Sequence, residues 1–177
     1  MKFRDLTAEE IECRVAMIKP NGLQLLLYKK SRTDAIILDE TVGAENWQRK
    51  HNECKGNLYC SVGINVNYNK PEAGDRWIWK EDCGSESNME KEKGEASDAF
   101  KRTMAINWGL GRCLYTAPFI WIPADKCDIV DGKNGSKQCY DKFEVEKIVI
   151  ENKRIMAIAI KNISKGVRAF VWQRNAQ

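Results

Sequence analysis

The chain has 177 residues, with a hydrophobic content of 43% and a charged content of 31%. This length and composition predict a globular protein of one domain, or of one domain with a small appendage. The formal net charge is +4, from 29 Lys and Arg against 25 Asp and Glu. A balance this mild excludes a protein that coats duplex DNA by charge alone, so any nucleic-acid site would depend on where the charges lie.

The cysteines and the apolar residues bear on the cellular compartment. Seven cysteines without a Cys-x-x-Cys pair favour free thiols in a reducing cytosol over a disulfide framework. The sequence contains no apolar run of membrane-spanning length and no signal or transit segment. We therefore expect a cytoplasmic protein without a membrane partner.

The first half of the chain predicts two short helices and a small antiparallel sheet. Thr7 is positioned to cap a first helical turn, and Gly43 is positioned to end a helix over residues 32–42. Residues 58–68 alternate between apolar and polar side chains, which is typical of a half-buried strand. The predicted strands are 15–18, 23–28, 46–54, 58–68 and 76–83.

Residues 85–112 predict one long helix. Ser87 and Glu90 have the spacing of a capping box at its start, and Gly109 marks its end. Helical spacing predicts a single apolar face, whose members are Ala96, Ala99, Phe100, Thr103, Ile106 and Leu110. The predicted fold class is α+β, with an antiparallel β-meander packed on this long central helix and a C-terminal β-rich extension.

A second face of this helix carries basic residues. At about 100° per residue, Lys93 and Lys101 lie together, and Arg102 projects from the side opposite the apolar face. Asp98 stands four residues before Arg102, which is the spacing of an ordinary surface pair. The charges alone therefore favour a solvated helix face over a binding site.

The chain changes character after Trp121. Residues 131–136 are polar and rich in turn formers. Three β-rich runs follow, at 143–150, 155–160 and 167–172. The predicted divisions are a core over 1–122, a loop or linker over 123–142 and a C-terminal β-meander over 143–177. This meander could extend the main sheet, form a small subdomain or make subunit contacts.

Three runs in and around the predicted long helix are unusual in composition. They are Glu81–Ser87, Glu90–Arg102 and Asn107–Gly111. Weaker points of similarity lie upstream, at Arg14, in the strand that ends at Tyr28 and at Asn46–Trp47. On these runs the chain resembles the Rad-fifty-two superfamily of single-strand annealing proteins, in particular its phage and prophage branch of Sak-type recombinases. The resemblance covers about residues 7–122 and leaves the tail outside it.

The resemblance implies a function and a set of site residues. The implied function is ATP-independent binding of single-stranded DNA and annealing of complementary strands in homologous recombination and DNA repair. Lys101 and Arg102 would contact the phosphate backbone, Arg14 would be the equivalent arginine near the first strand, and Lys93 is a weaker candidate. These residues would line a basic groove in a ring-shaped or helical homo-oligomer.

Further expectations follow from that resemblance. No covalent bond is made or broken in annealing, so we expect neither an enzyme nor a cofactor. A single-strand DNA-binding protein is a further partner to expect. The compartment would be the cytoplasm of a bacterial host if a phage or prophage encodes the chain.

Two other functions stay open. Glu81, Asp82 and Glu86 could hold magnesium in a metal-dependent nuclease, although stabilisation of the helix start explains Glu86 more simply. A DNA-binding or structural module that does not anneal is the third possibility. The sequence contains no GxxxxGK[ST] run for ATP, no evident partner that would make His51 catalytic and no zinc-ligand spacing of cysteines.

Three tryptophans near the predicted helix are candidates for base stacking. They are Trp77, Trp79 and Trp108. Tryptophan in strands and at helix ends more often belongs to the core or to a subunit interface. We therefore expect these side chains to be structural, and the predicted DNA site consists of Arg14, Lys93, Lys101 and Arg102.

Overall fold

The computed structural model describes residues 1–84, 91–132 and 135–175. Residues 91–93 are described by their backbone alone. The predicted capping box of Ser87 and Glu90 lies outside the described residues.

The chain forms two compact units of different architecture. The helical unit consists of Met1–Asp5 and Lys30–Gly111, and the sheet unit consists of Leu6–Lys29 and Arg112–Gln177. In chain order, the strands and α-helices are β1 (Glu12–Lys19), β2 (Gly22–Tyr28), α1 (Ser31–Val42), β3 (Trp47–Cys54), β4 (Asn57–Asn65), β5 (Trp77–Cys83), α2 (Lys91–Arg102), β6 (Ile120–Pro123), β7 (Val130–Asp131), β8 (Lys137–Gln138), β9 (Phe143–Glu151), β10 (Arg154–Asn162) and β11 (Val167–Gln173).

The sheet unit is built on six antiparallel strands in the order β11-β10-β9-β1-β2-β6. The edge strands β6 and β11 also contact each other, so the sheet is nearly closed. Strands β1 and β9 pair at a single position, Glu12 with Glu144. The core of the sheet unit is formed by the buried side chains of Leu23, Leu25, Ile120, Ile122, Ile155, Ile158 and Ile160.

The helical unit contains the three-stranded antiparallel sheet β3-β4-β5. Helix α2 packs on β4. Cys60, Val62 and Ile64 alternate along β4 and are completely buried, as the apolar and polar alternation of this strand predicts. Helix α1 ends at Gly43, which has a positive φ of 86°, so the predicted end of this helix is confirmed.

Helix α2 gives way to a wider π-helical turn over Thr103–Trp108, which ends at Gly109. The amide of Gly109 donates to the carbonyl of Met104, five residues back, and Gly109 is left-handed at φ 81°. The turn holds more residues than an α-helical turn, so the side chains within it are rotated out of the α-helical register. Met104 and Ala105 are buried as a result, whereas Ile106 is 41% exposed. The prediction that Ile106 belongs to the apolar face is wrong.

The predicted fold class is wrong as well. The molecule is mostly antiparallel β, at 44% of its residues, and its two α-helices in the described residues have 12 residues each. Within the described residues, no long central helix organises the fold, because α-helical structure there runs from Lys91 to Arg102 and then gives way to the π-helical turn. The C-terminal strands β9–β11 are part of the main sheet, since β9 pairs with β1 and so joins the first hairpin in one sheet. Of the three roles considered for these strands, they extend the main sheet.

Several local predictions are confirmed. The hairpin β1–β2, the meander β3–β5 and the C-terminal meander β9–β11 all form within two residues of their predicted bounds, except that β1 starts and β4 ends three residues earlier than predicted. The predicted turn of helix after Thr7 is a 3-10 turn, in which the Thr7 amide donates to the Glu10 carboxylate at 2.9 Å. Across the described residues, no helix has the length and apolar character needed to cross a bilayer.

Candidate nucleic-acid interface

The sheet β3-β4-β5 has two chemically different faces. Residues directly opposite each other on neighbouring antiparallel strands share a face. The helix-side face contains Trp47, Val62 and Lys80, and it packs against α2 through contacts such as the hydrogen bond from the Thr103 hydroxyl to the Cys60 carbonyl at 2.7 Å. The open face contains the alternate side chains of the same strands, including Lys50 and Trp79.

Lys101 and Arg102 lie at the C-terminal end of α2, and both are partly exposed. A guanidinium nitrogen of Arg102 lies 3.5 Å from a carboxylate oxygen of Asp82 on β5. Arg102 therefore flanks the helix on the β5 side, whereas we predicted that it would project directly away from the apolar face. Its side chain is 39% exposed, so this single long contact contributes at most about 1 kcal/mol and leaves other N–H donors for a ligand.

Lys80 on β5 is a further cation near Arg102, and we did not predict it as a site residue. Its ammonium donates to the Asn107 carbonyl at 2.8 Å and lies 4.4 Å from the centroid of the Trp108 ring. Asn107 in turn donates to the Glu81 carbonyl at 2.9 Å, which fixes the π-helical turn against β5. Strand alternation in β5 could have identified Lys80, because it shares the helix-side face with Asp82, the partner of Arg102.

Arg49 is a second unpredicted cation on the helix-side face. It stands opposite Val62, and Val62 stands opposite Lys80, so the two cations occupy the two ends of one cross-strand row. The guanidinium of Arg49 lies 4.9 Å from the centroid of the Phe100 ring, and this ring stacks on Trp47 with centroids 6.0 Å apart. The aromatic rings of the helical unit therefore hold cations at the flanks of α2.

Arg14 belongs to the other unit. It is exposed on β1 opposite Leu26, on the strand face that also carries Glu12 and Tyr28. A hydrogen bond to Glu12 and partial burial raise the pKa of Tyr28 to about 12. The surroundings of Arg14 thus include a carboxylate within its own strand, which weakens the attraction for phosphate.

Lys93 falls in the first turn of α2, but its side chain lies outside the described residues. The four predicted site residues are therefore distributed as follows. Lys101 and Arg102 lie together at one helix end, Arg14 lies in the sheet unit, and Lys93 contributes no described side chain.

The open face carries the ring of Trp79, which we left out of the predicted DNA site, and the ammonium of Lys50. Trp79 is 40% exposed, and the Lys50 ammonium lies 4.8 Å from the centroid of its ring. Trp77 stacks beside Trp79 with ring centroids 6.5 Å apart and an angle of 28° between the ring planes. Because Trp79 is exposed on the face that α2 does not cover, it is not a core residue, and of the two structural roles considered for it only a subunit interface is left.

The residues considered for a magnesium site do not converge. Glu81 and Asp82 are neighbours on β5 and therefore point to opposite faces. Glu81 accepts a hydrogen bond from the Ser61 hydroxyl at 2.8 Å, Asp82 pairs with Arg102, and Glu86 lies outside the described residues. Within residues 1–84, 91–132 and 135–175, no group of three or more His, Cys, Asp or Glu side chains is placed to hold a metal ion.

His51 lies on the edge strand β3. One of its ring nitrogens lies 3.3 Å from the Ala96 carbonyl of α2, so the ring ties the strand to the helix. The seven cysteines are free thiols. Burial raises the pKa of Cys60 to about 11, and burial together with the charges of Glu144 and Glu12 raises the pKa of Cys13 to about 12. The thiols of Cys60 and Cys13 are therefore protonated near neutral pH, which makes these two cysteines poor nucleophiles.

Comparison of the chain with models of protein families, with curated proteins and with solved structures found no match. The functional interpretation therefore rests on the residues of this chain. The cations around α2 and the aromatic group on the open face are the features that a functional hypothesis has to use.

Proposed function

We propose that the protein binds single-stranded DNA and anneals complementary strands without ATP, acting as a homo-oligomer. The observation that carries this proposal is the line of cations along β5 and the end of α2. Arg102 and Lys80 lie on this line, Lys101 precedes Arg102 in the chain, and all three are at least partly exposed. Arg102 has one contact of 3.5 Å with a carboxylate, and Lys80 donates to a backbone carbonyl beside an aromatic ring, so both keep further N–H donors for phosphate oxygens.

The chemistry of these side chains fits a strand held without sequence preference. Arg102 can grip one phosphate through two N–H groups, and Lys80 and Lys101 act as point charges. Contacts to phosphates leave the base edges free, so a second strand can test its pairing against the first. Base pairing then supplies both the specificity and the driving force, and no covalent bond changes.

Oligomerisation is part of the proposal because one copy offers few phosphate contacts. The helical unit contains 14 Lys and Arg against 15 Asp and Glu, so it has no general attraction for DNA. Repetition of the same cations on neighbouring copies would raise the effective concentration of binding sites along one strand. A monomer that annealed complementary oligonucleotides at the full rate would contradict this part.

The experiment measures annealing of two complementary labelled oligonucleotides without ATP, together with binding of one of them at several salt concentrations. The variant Lys101→Gln/Arg102→Gln removes the two cations from α2. We expect its affinity to fall by about 10- to 100-fold, as for the loss of one or two charge-assisted hydrogen bonds. The slope of log affinity against log salt should also decrease by about 0.7 for each phosphate that the variant no longer neutralises.

The chain offers a matched control with the same dipeptide. Lys153→Gln/Arg154→Gln removes the same two charges from the turn between β9 and β10 in the sheet unit. We expect this variant to anneal like the wild type. Equal losses in the two variants would mean that overall charge drives binding, and unchanged annealing in the α2 variant would remove the proposed site. Magnesium-dependent loss of the labelled DNA would instead indicate a nuclease.

A further inference from the structure

Trp79 lies flat across the middle of the open face because β4 has a glycine beneath it. Gly63 stands opposite Trp79 in the strand register. A Cβ atom at Gly63 would come within 2.5 Å of the indole ring, so any larger residue would push the ring away from the sheet. The missing side chain of Gly63 therefore allows the Trp79 ring to lie over the central strand of the sheet.

The charges next to this ring are arranged asymmetrically. The adjacent cross-strand row runs from Lys50 on β3 through Ser61 on β4 to Glu81 on β5. The Lys50 ammonium lies over the Trp79 ring, at 4.8 Å from its centroid. Glu81, at the other end of the row, is held by the Ser61 hydroxyl at 2.8 Å. An anion that approaches Trp79 is therefore attracted on the β3 side and repelled on the β5 side.

We propose that Trp79 is a stacking platform for one unpaired nucleobase, and that Lys50 binds the phosphate next to that base. This inference rests on the proposed function, from which it takes single-stranded DNA as the ligand. It adds a site on the open face, whereas Lys101 and Arg102 belong to the helix on the other face. Lys50 leaves the ring as the base arrives, since its flexible side chain can move to the phosphate at little cost.

The surroundings of the ring favour a nucleic acid over a protein surface. Gln48, Lys50, Asn52 and Glu81 on the open face are all exposed and polar. A stable protein interface has a contiguous apolar centre. On this face the polar row of Lys50, Ser61 and Glu81 separates Tyr59 from the Trp77–Trp79 pair, so the aromatic residues do not form one. An unpaired base presents an aromatic face with an anion at a fixed distance, which matches a flat indole beside an ammonium.

The experiment compares two probes of equal length, a deoxythymidine oligonucleotide and an abasic oligonucleotide with the same phosphate backbone. The wild-type protein should bind the first about 5- to 100-fold more tightly, the range for stacking of one base on an aromatic side chain. Trp79→Ala should remove this preference and leave the affinity for the abasic probe unchanged. Binding to a duplex should be equal in the two proteins, because paired bases cannot reach the ring.

Two further variants separate stacking from an effect on folding. Gly63→Ala keeps the tryptophan but displaces its ring, so it should lose the preference as Trp79→Ala does. Trp79→Phe keeps a smaller ring and should retain part of the preference. Trp172→Phe is the matched control, because Trp172 in the sheet unit also lies beside a cation, with the Arg174 guanidinium 5.2 Å from its ring centroid. It should behave like the wild type.

The outcomes distinguish this inference from the proposed function. Loss of base preference with retained binding to the abasic probe supports the platform. An unchanged preference in both Trp79→Ala and Gly63→Ala overturns the platform while leaving DNA binding in place. Wild-type protein that binds neither probe overturns both proposals. Loss of self-association in Trp79→Ala without any change in base preference overturns the platform too, and assigns the open face to contacts between copies of the chain.

Discussion

The two units of the molecule differ in how most of their described cations are held. In the helical unit, three basic side chains lie over aromatic rings, in the pairs Arg49–Phe100, Lys50–Trp79 and Lys80–Trp108, while Arg4 pairs with Glu40 and Arg102 with Asp82. In the sheet unit, three basic side chains pair with carboxylates, in the pairs Arg168–Glu146, Lys165–Asp128 and Lys137–Asp131, while Arg174 lies over the Trp172 ring. A ring attracts a cation without neutralising it, whereas a carboxylate cancels its charge.

The excess of positive charge does not belong to the unit that carries the proposed DNA site. The sheet unit contains 15 Lys and Arg against 10 Asp and Glu, whereas the helical unit contains 14 against 15. All of the positive excess therefore belongs to the sheet unit. The candidate interface nevertheless lies in the helical unit, because the exposed cations Lys50 and Lys80 lie there over aromatic rings. The candidate interface therefore depends on the placement of charges and not on the net charge of its unit.

The largest expected effect concerns the ring that holds Arg49. Phe100 is fully buried and stacks on Trp47, so Phe100→Ala should lower the free energy of unfolding by about 3–5 kcal/mol in urea denaturation. Ile106→Ala is the control, since both residues belong to the apolar face that helical spacing predicts. Ile106 is 41% exposed, so its substitution should cost less than about 1 kcal/mol. Equal costs would contradict the π-helical turn.

The second effect is a loss of stability at alkaline pH that should not differ between the units. Burial raises the pKa of Cys60 in the helical unit and of Cys127 in the sheet unit from 9.0 to about 11. Between these values the unfolded chain loses a proton that the folded chain keeps, so unfolding becomes more favourable as the pH rises. Each thiol lowers the free energy of unfolding by up to about 1.4 kcal/mol for each pH unit in this range. Below about pH 8 the thiol is protonated in both states, so it adds no pH dependence there.

Urea denaturation at pH 8 and pH 10 checks this expectation. Cys60→Ala and Cys127→Ala should each reduce the difference in unfolding free energy between the two pH values by a similar amount. Only the pH difference is compared, because loss of the sulfur also changes packing. A pH difference that stays the same in both variants would show that these thiols ionise as readily in the folded chain as in the unfolded chain.

The smallest expected effect compares one carboxylate-paired cation in each unit. Asp82→Asn removes the carboxylate beside Arg102 and should raise the affinity for single-stranded DNA by about two- to fivefold. Glu146→Gln removes the carboxylate that binds Arg168 through two hydrogen bonds in the sheet unit. It changes the net charge equally, but it should not change the affinity. If both variants gain equally, binding follows total charge and the two units do not differ.

The sequence predicted most of the local structure because local rules govern it. Alternation along residues 58–64 identified β4 and the face that it buries, and Gly43 marked the end of α1. Of the candidate site, the sequence identified Lys101 and Arg102 through a resemblance. It did not identify Lys80 and Lys50, since cations in edge strands look like ordinary solvated residues until the neighbouring rings are known.

The sequence by itself determined where strands and turns form, since these depend on residues close together in the chain. Tertiary structure decided that β9 pairs with β1, which makes the six-stranded sheet the largest sheet in the described residues. It also decided that Arg102 faces Asp82 and that Trp79 lies exposed over Gly63. These outcomes depend on contacts between residues distant in the chain, and the spacing of neighbouring residues carries no information about them.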